Sequence, residues 1–261
     1  MSADLTGEMG LVLTWEVSNQ AKFWSAYQQR IASVLATMHK NSELSLALPY
    51  EHKPLQRSDT QSSAWTNCLI LLFKDEGTVH KYSTDIVSCA RSSDFATYFR
   101  AADLMRVQQS INMVYAARNG LTRERRLIQG IEYVFSKPEC REEYYRDQYV
   151  WSGPVMRELH RKDYLSRFLG FEIHKRLDGS PLMPVWDVLH IFGATSWQWF
   201  KAIPTFRPTW NRHAKSIWGE GMTFKQRLAE WDDMRTIVKG PAKQKHNLTL
   251  QVSSKDLNLF L

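Results

Sequence analysis

The residues best suited to chemistry lie in an apolar run of the second half, Val185-Trp-Asp-Val-Leu-His-Ile-Phe192. Read as a strand over 185–193, it alternates Trp186, Val188, His190 and Phe192 on one face with Val185, Asp187, Leu189 and Ile191 on the other. An imidazole among aromatics is suited to moving a proton from a carbon or hydroxyl acid near neutral pH, so His190 is the leading catalytic candidate. The competing reading is a core histidine satisfied by a backbone carbonyl. On a helix read from Pro138 to about His160, Tyr145, Tyr149 and Ser152 follow at steps of four and three and so share a face. A phenol there would donate to a developing enolate; the alternative is a set of amphipathic core tyrosines. Tyr149 and Ser152 therefore join His190 as expected catalytic residues, and Trp186, Tyr145, Trp151, Phe192, Glu132 and His174 are the expected substrate-binding set. Glu132 and His174 sit on neighbouring strands, where a slip of one residue reverses their facing. Asp187, on the opposite face of its strand, is a poor partner for His190, and His213 reads as solvated amid Asn, Arg and Lys.

The chain has no HExxH, no tight His/Asp/Glu cluster with metal spacing, no GxSxG, no P-loop and no GxGxxG. No metal and no cofactor are expected. Cys68, Cys89 and Cys140 lie far apart and signal neither a disulfide framework nor a thiolate site. A net charge of +7 invites a nucleic-acid reading, but its densest run, Arg123-Glu-Arg-Arg126, is interrupted by an acid, and a solvated mixed-charge surface accounts better for it. The N-terminus lacks the features of a signal peptide and no stretch approaches a membrane span, so the expectation is a cytoplasmic protein without membrane or nucleic-acid partners, with a homodimer as the candidate assembly.

The elements that position these residues recur. A strand-like run at 11–17 and another at 127–135 each precede an amphipathic helix opening on paired aromatics, Phe23-Trp24 and Tyr144-Tyr145. Each is followed by an apolar strand with a Trp near its start, Trp65 and Trp186. Phe23 and Tyr144, like Trp65 and Trp186, are separated by the same 121 residues, which reads as an internal duplication. Helices are expected over 19–39, 76–90 and, broken by Pro204, Pro208 and Gly219-Glu-Gly221, over 196–231. Strands are expected at 44–55, 64–73, 111–115, 126–135, 167–176 and 185–193, with the last at 247–252 in preference to 235–238. The fold class is therefore α+β: tandem ferredoxin-like (βαββαβ) repeats, 1–120 and 121–261 with a C-terminal extension, forming an intrachain α+β barrel.

The stretch Glu143-Tyr-Tyr-Arg-Asp-Gln-Tyr-Val-Trp-Ser-Gly-Pro-Val-Met-Arg-Glu-Leu159 resembles the first-helix signature of the EthD-like proteins of the dimeric α+β barrel superfamily. The resemblance covers this helix and the surrounding strand order. It implies a barrel of two ferredoxin-like units and cofactor-independent decarboxylases, cyclases, isomerases or oxygenases acting on polyketides or other aromatic metabolites. Where the family carries a His, this chain has Ser152, so that group's role as a base does not transfer.

The reading that follows is a cofactor-independent lyase or cyclase shaping an aromatic or polycyclic, polyketide- or terpenoid-derived intermediate, with conformational restriction supplying much of the acceleration. Two alternatives stand beside it: a cofactor-free oxygenase on the same substrate class, and a non-catalytic small-molecule-binding or partner-stabilising protein.

Overall fold

The computed structural model describes residues 9–52, 65–108, 113–114, 127–179, 185–244 and 250–251. The polar loop at 56–63, the linker around 119–120 and part of the turn at 177–181 lie outside them.

In the first half, β1 (Met9–Trp15) leads into α1 (Gln20–Arg30) and α2 (Ala32–Lys40), then β2 (Leu44–His52), β3 (Asn67–Phe73), α3 (Glu76–Ala90) and β4 (Phe99–Val107). Asn19 accepts the Lys22 N–H and Asp75 the Thr78 N–H, which fixes the starts of α1 and α3. A short strand, β5 (Met113–Val114), adds to the edge of β7. The second half runs β6 (Ile128–Ser136), α4 (Arg141–Asp147), α5 (Gly153–Arg161), β7 (Arg167–Gly179), β8 (Val188–Ala194), α6 (Ser196–Trp218), α7 (Phe224–Met234), β9 (Arg235–Gln244) and β10 (Leu250–Gln251).

Each half is a ferredoxin-like unit with the same strand order. The first runs β2-β3-β1-β4 and the second β7-β8-β6-β9, and antiparallel pairing of β4 with β7 joins them in one sheet. Because alternate residues of a strand face opposite ways, Leu11, Leu13, Leu69 and Leu71 pack under α1–α3. Val134, Phe168 and Val188 pack under the helices of the second half. The other face, with Val12, Ile70, Met105, Ile131, Phe171, Leu189 and Ile191, forms a third cluster drawn from both units. Burial on both faces explains why β1 and β3 are apolar almost throughout. The duplicated tryptophans meet in that cluster: Trp65 and Trp186 each precede the third strand of their unit and contact the ring of Tyr133, at 4.5 and 5.7 Å.

The expected barrel is corrected. A barrel needs a ladder running along the seam between its first and last strands. Here, among the described residues, β9 meets β2 only at its end, through Tyr50↔Gln244, Glu51↔Lys243 and His52↔Ala242, while β6 pairs along most of β9. The ten strands form one rolled sheet that is not closed along its length.

Three elements differ from the sequence expectation. The fourth strand of the first unit is β4 at 99–107, not the run at 111–115, whose described residues 113–114 pair with β7. The fourth strand of the second unit is β9, in which Pro241 stands opposite Gly130. Helix α6 runs through Pro204 and Pro208 without breaking. Both prolines are exposed, so water can reach the carbonyls they leave unbonded, those of Phe200 and Pro204. Among the described residues no helix is long and apolar enough to cross a membrane.

Candidate functional site

The second unit brings His190 and Glu132 together between the sheet and the helices that cover it. They are cross-strand neighbours on β8 and β6, so their side chains leave the sheet on the same face. His190 Nδ1 lies 3.0 Å from Glu132 Oε2, and its Nε2 is buried without a partner. His190 is 3% exposed. With Glu132 as a carboxylate acceptor and the ring neutral, Nδ1 is the donor and Nε2 presents its lone pair. The Phe168 ring lies 5.4 Å from the imidazole, and Gly170 on β7 stands opposite His190 with no side chain to obstruct it. Gly130 leaves room for the Phe192 ring, whose Cζ would stand 2.2 Å from any added Cβ.

The helical wall supplies further polar groups. Gln148 Nε2 donates to the Tyr144 hydroxyl at 2.5 Å, and Gln148 Oε1 is buried with no partner. Burial pushes the Tyr144 phenol up to about 12, against the pull of the Arg235 guanidinium, so it stays protonated at neutral pH. Burial also raises Tyr145, with the carboxylates of Glu172 and Asp187 adding to it. Between α4 and α5 the backbone makes a π-helical turn over Gln148–Ser152, with Gly153 N–H bonding back to Gln148 O. Pro154, which has no N–H to continue the α-helical ladder, follows directly; π turns of this kind are frequent at functional sites.

Trp151 fills the space behind this wall, in edge contact with Trp210, Trp218 and Trp231. Arg227 stacks over Trp218 at 4.5 Å and pairs with Asp147, Glu143 and Glu230, fixing α7 against α4. Glu158 fixes α5 against α6 by accepting from Arg212, from His213 at 2.8 Å and from Lys162 at 2.6 Å. The Arg212 hydrogen bond, helped by Lys162 and His213, holds the Glu158 carboxyl down to about 2. A carboxyl lowered on folding adds stability above its unfolded value, about 4.3, and loses it as pH falls toward 2. Glu158→Gln is therefore expected to lower Tm at pH 7 and to flatten the fall in Tm between about pH 5 and pH 2, measured by thermal denaturation at stepped pH.

The sequence-derived candidates separate into those the site contains and those it does not. His190, Glu132 and Phe192 share one face, and Tyr145, half-buried, and Ser152 and Trp151, both buried, belong to the helical wall. Trp186 faces the cluster on the opposite side of the sheet, because the chain bends at Asp187 and the alternation begins only at Val188. Asp187 is occupied in accepting from Ser136 N–H and Arg141. Tyr149 is 66% exposed and points outward, since the π turn shifts the three- and four-residue spacing that would have aligned it with Tyr145 and Ser152. His174 is exposed on the outer part of β7. His213 is not solvated but paired with Glu158. The sequence marks Tyr144 as a helix-opening aromatic but gives no site role to it or to Gln148, Asp147 and Arg227; the four-residue step from Tyr144 to Gln148 is the one available signal. Among the described residues no group of three or more His, Cys, Asp or Glu is placed to hold a metal ion.

The chain matches no protein-family model and no curated protein sequence. Solved structures of similar fold include a protein of Lactobacillus acidophilus NCFM described as a monooxygenase, at 10% identity and TM-score 0.50, covering 91% of this chain and 94% of that one. An anthrone oxidase-like protein matches at 8% identity and TM-score 0.52, covering 94% and 95%. A protein described as a chlorite dismutase matches at 10% identity and TM-score 0.43, covering 93% and 98%. At such identities the likeness establishes the fold alone. The EthD-like assignment is nevertheless corrected, since no family model supports it and these structures carry other descriptions. The expected lyase or cyclase is corrected with it: the two matches at TM-scores of 0.50 and 0.52 are described as a monooxygenase and as anthrone oxidase-like.

Proposed function

We propose that the protein is an oxidoreductase that oxidises an aromatic or polycyclic small molecule, with His190 moving the proton and Glu132 positioning it. The observation that carries this reading is the buried imidazole held by a carboxylate at Nδ1 and without a hydrogen-bond partner at Nε2. An Nε2 lone pair screened from water by Phe168 and the helical wall is placed to take a proton from a C–H acid beside an aromatic ketone. The resulting carbanion is delocalised and can reduce dioxygen. For a methylene substrate, the methylene and one dioxygen give a ketone and one water: the carbon loses four electrons, dioxygen gains them, and one oxygen atom stays as the ketone. The other leaves as water, carrying the proton that His190 first accepted. Gln148, with one end of its amide on Tyr144 and the other without a partner, would receive a substrate hydroxyl. The descriptions of the two similar structures favour an oxidoreductase over other classes. On this reading the second half, 121–261, carries the chemistry and the first, 1–120, serves as scaffold.

The same pair favours a second use of the imidazole. A ligating histidine characteristically gives its other N–H to a carboxylate, so His190 Nε2 would hold the iron of a porphyrin, with Glu132 raising the basicity of the ring. Such a group would supply oxygen or peroxide activation at the iron.

Two measurements on the purified protein test both uses. Oxygen uptake with a hydroxylated anthrone, before any porphyrin is added, is expected to be lost in His190→Ala if Nε2 is a base. A Soret band on titration with hemin, absent in His190→Ala, assigns Nε2 to iron. If neither oxygen uptake nor a Soret band depends on His190, the oxidoreductase reading is wrong.

A further inference from the structure

The amino-terminal half of α6 carries an exposed surface that no core uses. Trp197, Phe200 and Ile203 are 62%, 67% and 72% exposed. They recur at three-residue steps, and the rings of Trp197 and Phe200 stack at 5.7 Å with 15° between planes. The Lys201 ammonium lies 5.4 Å over the Trp197 ring, and Pro204 and Arg207 are exposed on the following turns. The start of the helix is fixed by a capping box between Thr195 and Gln198, so this surface sits on an ordered element. Its 23 residues include no Asp or Glu. Arg212 and Lys215 in the last turns are paired with Glu158 and Glu220, leaving Lys201 and Arg207 as the cations of the exposed face.

We propose that this face docks on an anionic lipid surface, with Trp197, Phe200 and Ile203 entering the boundary between headgroups and acyl chains and Lys201 and Arg207 meeting lipid phosphates. An apolar stripe whose charged neighbours on its own helix are all cations is the composition of helices that lie in the plane of a membrane, and Trp is favoured at that depth. Charge decides against a second copy as the occupant. A two-fold contact would set one acid-free face against another, with like charges opposed, whereas an anionic surface complements both the helix and the chain's net +7. Docking of this kind needs no membrane-spanning helix.

The test is co-sedimentation with phosphatidylcholine vesicles, with and without about 30% phosphatidylserine, at two salt concentrations. The wild-type protein is expected to bind the anionic vesicles at least ~tenfold more tightly and to lose most of that preference at high salt. The variant Trp197→Ser/Phe200→Ser is expected to lose binding to both compositions, and Lys201→Glu/Arg207→Glu to lose the anionic preference alone. These side chains are exposed, so Tm should hold within a degree or two and exclude misfolding as the cause. Absence of wild-type pelleting, or equal pelleting of Trp197→Ser/Phe200→Ser, overturns the proposal. So does light scattering that shows a wild-type dimer made monomeric by that variant, which would assign the face to a second copy.

Discussion

Glu132→Gln is expected to lower kcat by a factor on the order of 10²–10⁴ while leaving KM within about twofold. The size follows from what the carboxylate does to the ring. Glu132 accepts from Nδ1 and leaves Nε2 as the basic atom. A glutamine can instead donate its amide N–H to Nδ1, which moves the ring proton to Nε2 and removes the lone pair at the reacting position. The side chain keeps its volume, so ligand binding and Tm should change little, whereas a merely structural carboxylate would show the reverse. Glu132→Asp retains the acceptor and should recover part of the lost rate. His190→Ala should cost at least as much as Glu132→Gln, and the double variant no more than His190→Ala, because the two residues act as one unit. A Glu132→Gln enzyme with normal kcat would remove Glu132 from the mechanism.

That pairing was only half legible in the sequence. Alternation gives the facing of His190 on its strand, but bringing Glu132 beside it requires β6 and β8 to be neighbours in register, which sequence periodicity does not specify. The same gap explains Trp186. An alternating pattern extended two residues upstream of the true strand start carries Trp186 to the helix side, yet the bend at Asp187 sends it to join Trp65 and Tyr133. The duplication was more legible because it rests on large side chains with equivalent packing tasks. Phe23 and Tyr144 anchor the first helical segment of each unit, and Trp65 and Trp186 close the same cluster. Paired aromatics on that helix are thus explained by helix-on-sheet packing in any such unit, which is why they misled as the mark of one family. Barrel closure was beyond the sequence for a different reason: it depends on how far β9 runs along β2, and three residue pairs at its end follow from sheet twist rather than from any local pattern.

Asp103→Ala is expected to destabilise the fold by about 3–5 kcal/mol, the cost of breaking a buried ion pair by removing one partner. Asp103 on β4 is fully buried and faces Arg176 on β7 across the junction of the two units. Its carboxylate accepts from Nε and Nη2 of the guanidinium, at 2.6 and 3.0 Å, and from Trp186. Burial pushes the Asp103 carboxyl up, and Arg176 only partly offsets this. The sign matters. A carboxyl raised on folding binds its proton more tightly in the native state, so its contribution to stability declines as pH rises from its unfolded value toward its folded one. The pair is therefore expected to cost stability at neutral pH relative to a well-packed apolar pair, even though removing half of it is worse. Denaturant unfolding should show Asp103→Ala far below the wild type, with Asp103→Leu/Arg176→Met recovering most of the loss or exceeding the wild type. If the double variant falls as far as Asp103→Ala, the ion pair is a net stabiliser of the junction. If it recovers, the pair serves register: it fixes β4 against β7, where the ladder already shifts on either side of Asp103, and so sets how the two duplicated units meet.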